Sequence, residues 1–181
     1  MGRDKALLPW HGTTFLGGAI ELLSPVTDLV IVVAGRNATN LQPLVDAAGA
    51  SLVVNREPER GQFSSLRVGV QEVLNQGRDA AIIALVDRPP ARPETVHLLK
   101  SAFLRSADQI WAVAPEFSGR HGHPLVAGRE MIEAFLRAPL TATARDIEHQ
   151  HQQHMEYVTV DDPLVILNVD TPEDYQRISG G

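Results

Sequence analysis

The chain has 181 residues, 44% of them hydrophobic and 21% charged, a globular composition that suits one domain and excludes a disordered or fibrous chain. Its net charge of −6 argues against a general nucleic-acid or anionic-membrane binder, since such proteins are basic. It has no cysteine, which removes disulfides, thiolate metal sites, iron–sulfur clusters and thiol nucleophiles together.

The opening MGRDKALLPWHG lacks the apolar stretch and small-residue cleavage site of a signal peptide. No apolar run nears the roughly 18 residues of a spanning helix. A cytoplasmic protein is expected. Residues 13–23 (TTFLGGAIELL) read as a helix capped by Thr13 or Thr14, and 28–34 (DLVIVVA) as a strand covered on both faces. Residues 40–48 form a helix that stops at Gly49, and 51–54 a short strand. The apolar positions 63, 66, 70, 73 and 74 give 62–74 helical spacing, with Gly77 after it. Residues 80–86 (AAIIALV) are the strongest strand in the chain. A helix over 93–104 carries Pro93 in its first turn, where proline is permitted. A strand at 109–114, short helices at 130–137 and 143–149, strands at 155–160 and 165–169, and a last helix from Pro172 complete the pattern.

Strand–helix–strand repeats of this length imply right-handed crossovers and a mostly parallel sheet with helices on both faces. The expected fold is a Rossmann-like three-layer α/β sandwich formed by one domain over 1–181. Residues 116–154 break the rhythm and read as an insertion on the ligand edge. Ligands of such sheets sit at the carboxyl ends of the strands.

Asp87 ends the strand AAIIALVD and precedes Arg88-Pro89-Pro90. A carboxylate fixed there suits a hard cation such as Mg²⁺; a turn-forming Asp is the alternative. The segment NVDTPED opens the last helix. Capping and the helix dipole account for Thr171, Pro172, Glu173 and Asp174. They leave Asn168 and Asp170 unexplained, and either one facing Asp87 would complete a metal site. In ERGQFSSL, Gly61, Ser64 and Ser65 at a helix start suit an anion or nucleotide, although a plain polar N-terminus looks the same. In GRHGHP, His121 and His123 fit a metal, a phosphate or a turn. His149, His151 and His154 do not share one helical face and are expected on a solvated helix end. Lys5 is a lone early lysine, indistinguishable locally from a surface lysine.

Together these segments resemble the molybdenum-cofactor nucleotidyltransferases, the MobA-like NTP transferases. MGRDKALLPW resembles the second half of that family's N-terminal signature, ERGQFSSLRVGV its serine-pair helix start, and ALVDRPP its metal-binding Asp motif. GRHGHPLV resembles its Gly-His-Pro motif and NVDTPEDY its closing motif. The order is that of the family over 1 to about 178. The serine pair and Gly-His-Pro lean towards the cytidylyltransferase branch. No Gly-x-Gly-x-x-Gly follows a strand, so a Rossmann dehydrogenase is excluded.

The resemblance implies a nucleotide-diphospho-sugar transferase fold and Mg²⁺-dependent transfer of a nucleotide from CTP or GTP to a molybdopterin-type phosphate, with loss of pyrophosphate. It implies that Gly2, Lys5, Asn55, Gly61, Ser64 and Ser65 bind the nucleotide. Asp87 and Asn168 or Asp170 would hold the metal, with Lys5 and Asp87 catalytic. His123 and Arg88 would lie near the acceptor. It also implies a molybdoenzyme maturation partner. The family often has Gln or His at position 88, and its cytidylyltransferase branch has Asp at 168. A sugar- or polyol-phosphate nucleotidyltransferase and a non-catalytic nucleotide-binding homologue are the rival readings. The family further has a strand and a Gly-rich loop just before the residue that aligns with Met1, and supplying them is expected to raise nucleotide affinity.

Overall fold

The fold is described for residues 4–179 by a computed structural model. A hairpin of β1 (Pro9–Trp10) and β2 (Thr13–Thr14) leads into α1 (Phe15–Leu23). Then follow β3 (Ile31–Ala34), α2 (Ala38–Ala47), β4 (Ser51–Val54), α3 (Gln62–Asn75), β5 (Ala80–Ile83) and α4 (Pro93–Arg105). The second half holds β6 (Ala112–Phe117), β7 (Arg120–His121), β8 (Leu125–Gly128), α5 (Arg129–Arg137), α6 (Ala144–Gln150), β9 (Met155–Thr159) and α7 (Pro172–Ser179). Caps fix several starts. Thr14 Oγ1 accepts from Gly17 N–H at 3.0 Å, and Thr143 and Asp146 form a reciprocal capping box on α6.

Alternation along the strands produces the layers. Ala112, Ala114, Leu125 and Ala127 turn to one face, where Phe63 and Val70 of α3 and Met131, Ile132 and Phe135 of α5 cover them. Val113 and Val126 turn to the other face, against Leu99 and Ala102 of α4. The result is the expected three-layer α/β arrangement. β8 lies between β5 and β6 and is antiparallel to both, while β9 is parallel to β6. β5, β6 and β9 therefore run one way and β8 and the two-residue β7 the other, so this sheet is mixed rather than mostly parallel as expected. β3 and β4 form a separate parallel pair.

Two parts of the sequence reading need correction. The 116–154 stretch is not irregular: β8 within it is a central strand with all four residues buried, and it also supplies α5 and α6. Four small aliphatic residues between Pro124 and Arg129 are too few to show a period. The 165–169 strand is absent. Pro163–Ile166 is a 3-10 turn instead, because the Asp162 carboxylate accepts from Leu164 N–H at 3.0 Å and Pro163 presets the first helical φ.

β3 pairs only with β4, and β5 only with β8, among the described residues. A mostly apolar cleft of about 560 Å³ lies between these two sheet pieces, walled by Ile31, Val33, Ile82, Ile20 and Val73.

Candidate active site

The strand expected over 80–86 ends at Ile83, and Asp87 stands in the turn beyond it; that turn and the closing segment are joined directly. Val169 N–H donates to the Asp87 carbonyl at 2.8 Å. Val169 is fully buried while Asn168 and Asp170 on either side of it are exposed. The Asp87 Oδ1 atom is buried and has no hydrogen-bond partner among the described residues. A carboxylate oxygen in that state is costly unless a cation or donor meets it. No group of three or more His, Asp or Glu side chains stands ready for a metal among the described residues. Mg²⁺ does not need one, because it is commonly held by one or two carboxylates together with substrate phosphates.

The N-terminal segment reaches the same place. Lys5 Nζ donates to Asp170 Oδ1 at 2.8 Å. Asp4 caps the 3-10 turn Lys5–Leu7 through Ala6 N–H at 3.1 Å. Its other oxygen accepts from Asn37 Nδ2 at 2.6 Å, which ties the turn to the end of β3. Gly2 lies outside the described residues.

A second polar group forms at the start of α3. Asn55 is buried and donates through Nδ2 to Ser64 Oγ at 2.8 Å and to Ser65 Oγ at 3.0 Å. Its Oδ1 accepts from Glu57 N–H at 2.9 Å. Gly61 has φ of 87°, a left-handed conformation that suits glycine. No side chain caps α3; Ser64 N–H donates to Gly61 O at 3.1 Å, and the Gln62 and Phe63 amides have no partner among the described residues, which leaves them for a ligand.

Gly122 packs against the backbone of Val165, where a Cβ would collide with the carbonyl. This close approach sets the neighbouring His123, whose N–H donates to Val165 O at 2.9 Å. Arg88 Nη1 donates to the same carbonyl at 3.0 Å. Burial, with help from the Arg88 charge, pushes the His123 imidazole down to about 4, so it is uncharged at neutral pH. Burial also lowers Arg88, which Asp87 and Asp170 partly offset and Arg120 reinforces. Its Nε is buried without a partner among the described residues.

Lys5, Asp87, Arg88, His123 and Asp170 thus converge, as do Asn55, Gly61, Ser64 and Ser65. The remaining histidines go elsewhere. His121 stacks on Tyr157 with centroids 3.6 Å apart and lies 3.4 Å from Glu116. His154 stacks on Trp111 at 3.9 Å and His151 tilts against it at 4.9 Å, so two of the three tract histidines pack on an aromatic ring. Sequence reasoning missed Asp162 and Glu148. Asp162 is fully buried and accepts from Thr95 Oγ1 and Arg92 N–H, both at 2.8 Å. Its position before Pro163 is the one local signal of a capping role.

Residues 1–160 match the model of the MobA-like NTP transferase domain. The chain belongs to that family. It is a nucleotidyltransferase of MobA-like type with the nucleotide-diphospho-sugar transferase fold. A molybdenum cofactor guanylyltransferase of Shewanella piezotolerans is 25% identical over 181 residues, covering 98% of this chain and 84% of the relative. The crystal structure of Rv0371c from Mycobacterium tuberculosis is 25% identical, with a TM-score of 0.84, over 100% of this chain and 91% of that one. The same protein in complex with manganese has a TM-score of 0.82 at 25% identity, over 99% of this chain and 94% of that one. No helix among the described residues is long and apolar enough to cross a membrane.

Proposed function

We propose that this MobA-like transferase moves a nucleotide from CTP or GTP to the terminal phosphate of a molybdopterin-type acceptor. The observation that carries the reading is Asp87 Oδ1, orphaned among the described residues in the turn after β5, beside the segment that bears Asn168 and Asp170. A relative named molybdenum cofactor guanylyltransferase supports the acceptor class and favours GTP. The serine pair and Gly-His-Pro motif favour CTP.

Asp87, with Asp170 and Asn168, would hold a divalent cation; the manganese complex of the Mycobacterium tuberculosis protein supports the metal class, and we assign Mg²⁺. When bound, that ion supplies positive charge that lowers repulsion between two anionic substrates. Lys5 neutralises the β- and γ-phosphates by exchanging Asp170 for a phosphate oxygen. The start of α3 after Gly61 and the Asn55–Ser64–Ser65 network orient the nucleotide. Arg88 attracts the acceptor phosphate, and uncharged His123 donates or accepts a hydrogen bond there. An acceptor phosphate oxygen attacks the α-phosphorus in line. One P–O bond forms, the bond to the β-phosphate bridge breaks, and pyrophosphate leaves. The nucleophile is already an anion, so positioning and charge neutralisation do the catalysis and no strong base is needed. The reaction belongs in the cytoplasm and hands its product to a molybdoenzyme maturation partner.

The test is pyrophosphate release with CTP or GTP, each with a molybdopterin-type acceptor, a sugar phosphate or a polyol phosphate. Release with the molybdopterin acceptor alone is expected. Release only with a sugar or polyol phosphate would move the chain to the rival activity. Nucleotide binding without release would make it a non-catalytic homologue.

A further inference from the structure

A second cavity, of about 640 Å³, opens beside the start of α3. That volume falls within the roughly 300–1,000 Å³ typical of small-molecule sites. Its walls are largely apolar, with Phe63, Leu66, Ile83 and Leu125 among them, and Gln62, Thr141 and Thr143 at its polar side. Two of its polar lining groups are His123 and Glu148 of α6. His123 connects the cavity to the active site described above.

Glu148 makes no hydrogen bond and no ion pair among the described residues. Burial pushes its carboxyl up to about 7, and Arg145 on the same helix opposes this only in part. From β9, Tyr157 feels the Glu148 charge. Across the cavity, His123 is uncharged at neutral pH, and Arg60 is engaged with Glu57 at 2.8 Å. Glu148 therefore lines a largely apolar cavity with two acceptor oxygens that meet no donor among the described residues. A buried carboxylate gains most from donors that meet both oxygens in one plane.

We propose that Glu148 sets the specificity of a heterocycle pocket, its carboxylate accepting from the adjacent ring N–H and exocyclic amino group of a 2-amino-4-oxopyrimidine edge. The ring would lie against Phe63, Leu66 and Ile83. Pterins and guanine share this edge. Cytosine does not, because its amino group adjoins a ring nitrogen acceptor that a carboxylate repels. The assignment rests on the nucleotidyl-transfer reading for treating the pocket as part of the substrate site.

The experiment measures binding to the intact protein at pH 8, where Glu148 is mostly charged. Two pairs of probes are used: pterin against lumazine, which has a carbonyl in place of the 2-amino group, and GMP against IMP, which lacks that group. The wild type should prefer pterin or GMP by at least tenfold. Preference within the first pair assigns the pocket to the acceptor, and within the second to the nucleotide. In Glu148→Gln the preference should vanish or, for lumazine, reverse, because an amide offers one donor and one acceptor. No preference in either pair by the wild type overturns the proposal, and so does an unchanged preference in Glu148→Gln. The wild-type comparison decides alone if the variant does not fold. Pyrophosphate release by the same wild-type sample keeps the two readings apart. Release without any pair preference sinks the pocket but not the transferase activity, and preference without release does the opposite.

Discussion

Val169 clamps Asp87: its N–H donates to the Asp87 carbonyl at 2.8 Å. The bond holds the turn that follows β5 against the segment that carries Asn168 and Asp170. Lys5 then closes the cluster through Asp170 at 2.8 Å. Three distant pieces of the chain therefore meet at one point, at the sheet edge where parallel folds place their ligands.

The Lys5–Asp170 pair is partly exposed, with 31% and 60% of the side chains accessible. Exposed pairs contribute about 1 kcal/mol or less to stability. Lys5→Ala should accordingly leave the melting temperature almost unchanged while weakening nucleotide affinity at least tenfold. Calorimetric titration with the Mg-nucleotide beside a thermal melt checks both. A large melting shift with unchanged affinity would make Lys5 structural.

Asp162 is the reverse case. It is fully buried and caps the start of α4 through Arg92 N–H and Thr95 Oγ1. Asp162→Ala strands those donors and should cost about 3 kcal/mol, a fall of roughly 6–12 °C for a chain of this size. Chemical denaturation should show it, and Asp162→Asn should recover part of it.

Two partly buried groups give opposite pH dependences. His123 is pushed down to about 4, so the unfolded chain binds more protons between that value and 6.5. The stability it confers is complete above pH 6.5 and is lost as pH falls towards 4. Glu148 is pushed up to about 7, so the native state binds more protons above 4.5. Its contribution is present below pH 4.5 and is lost as pH rises through 7. The two offset each other between about 4.5 and 6.5. His123→Gln should flatten the acid limb and Glu148→Gln the neutral one, in denaturation free energies measured from pH 4 to 8. Parallel profiles for both variants and the wild type would refute these assignments.

Much of this was legible in the residues. Asp87 and the serine pair stand beside long periodic segments, where the end of a strand or the start of a helix leaves few alternatives, whereas Lys5 looks locally like any surface lysine and stands out only through the family resemblance. β8 was not legible, because LVAG between proline and arginine shows no period of its own and is fixed by its neighbours β5 and β6. The closing 165–169 run is β-branched yet bends, because Asp162 and Pro163 impose a turn that propensity alone does not weigh. Glu148 sits in a polar helix that reads as surface; only the packing of α6 against α5, with the start of α3 across the cavity, makes it line that cavity. The tract histidines look solvated until Trp111, distant in sequence, is placed under them.

Among the described residues, the cleft between β3 and β5 leaves two strand edges unpaired and apolar walls exposed. An extended apolar peptide, supplied in trans or ahead of Met1, should add as a strand between them. At ten times its dissociation constant it would stabilise the protein by about 1.4 kcal/mol, roughly 3–6 °C. Val73→Trp, which fills the cleft, should abolish the shift. A peptide that leaves the melt unchanged at saturating concentration would show that the cleft does not accept a strand.

The central claim is that Asp87 holds the cation of nucleotidyl transfer. It is tested most directly by titrating Mg²⁺ into metal-free wild type and Asp87→Asn while following pyrophosphate release with nucleotide and acceptor present. The wild type should gain activity with added metal. Asp87→Asn should release pyrophosphate at least about 100-fold more slowly at any Mg²⁺ concentration, with an unchanged melting temperature. Equal rates for the two proteins, or full activity without metal, would contradict the claim.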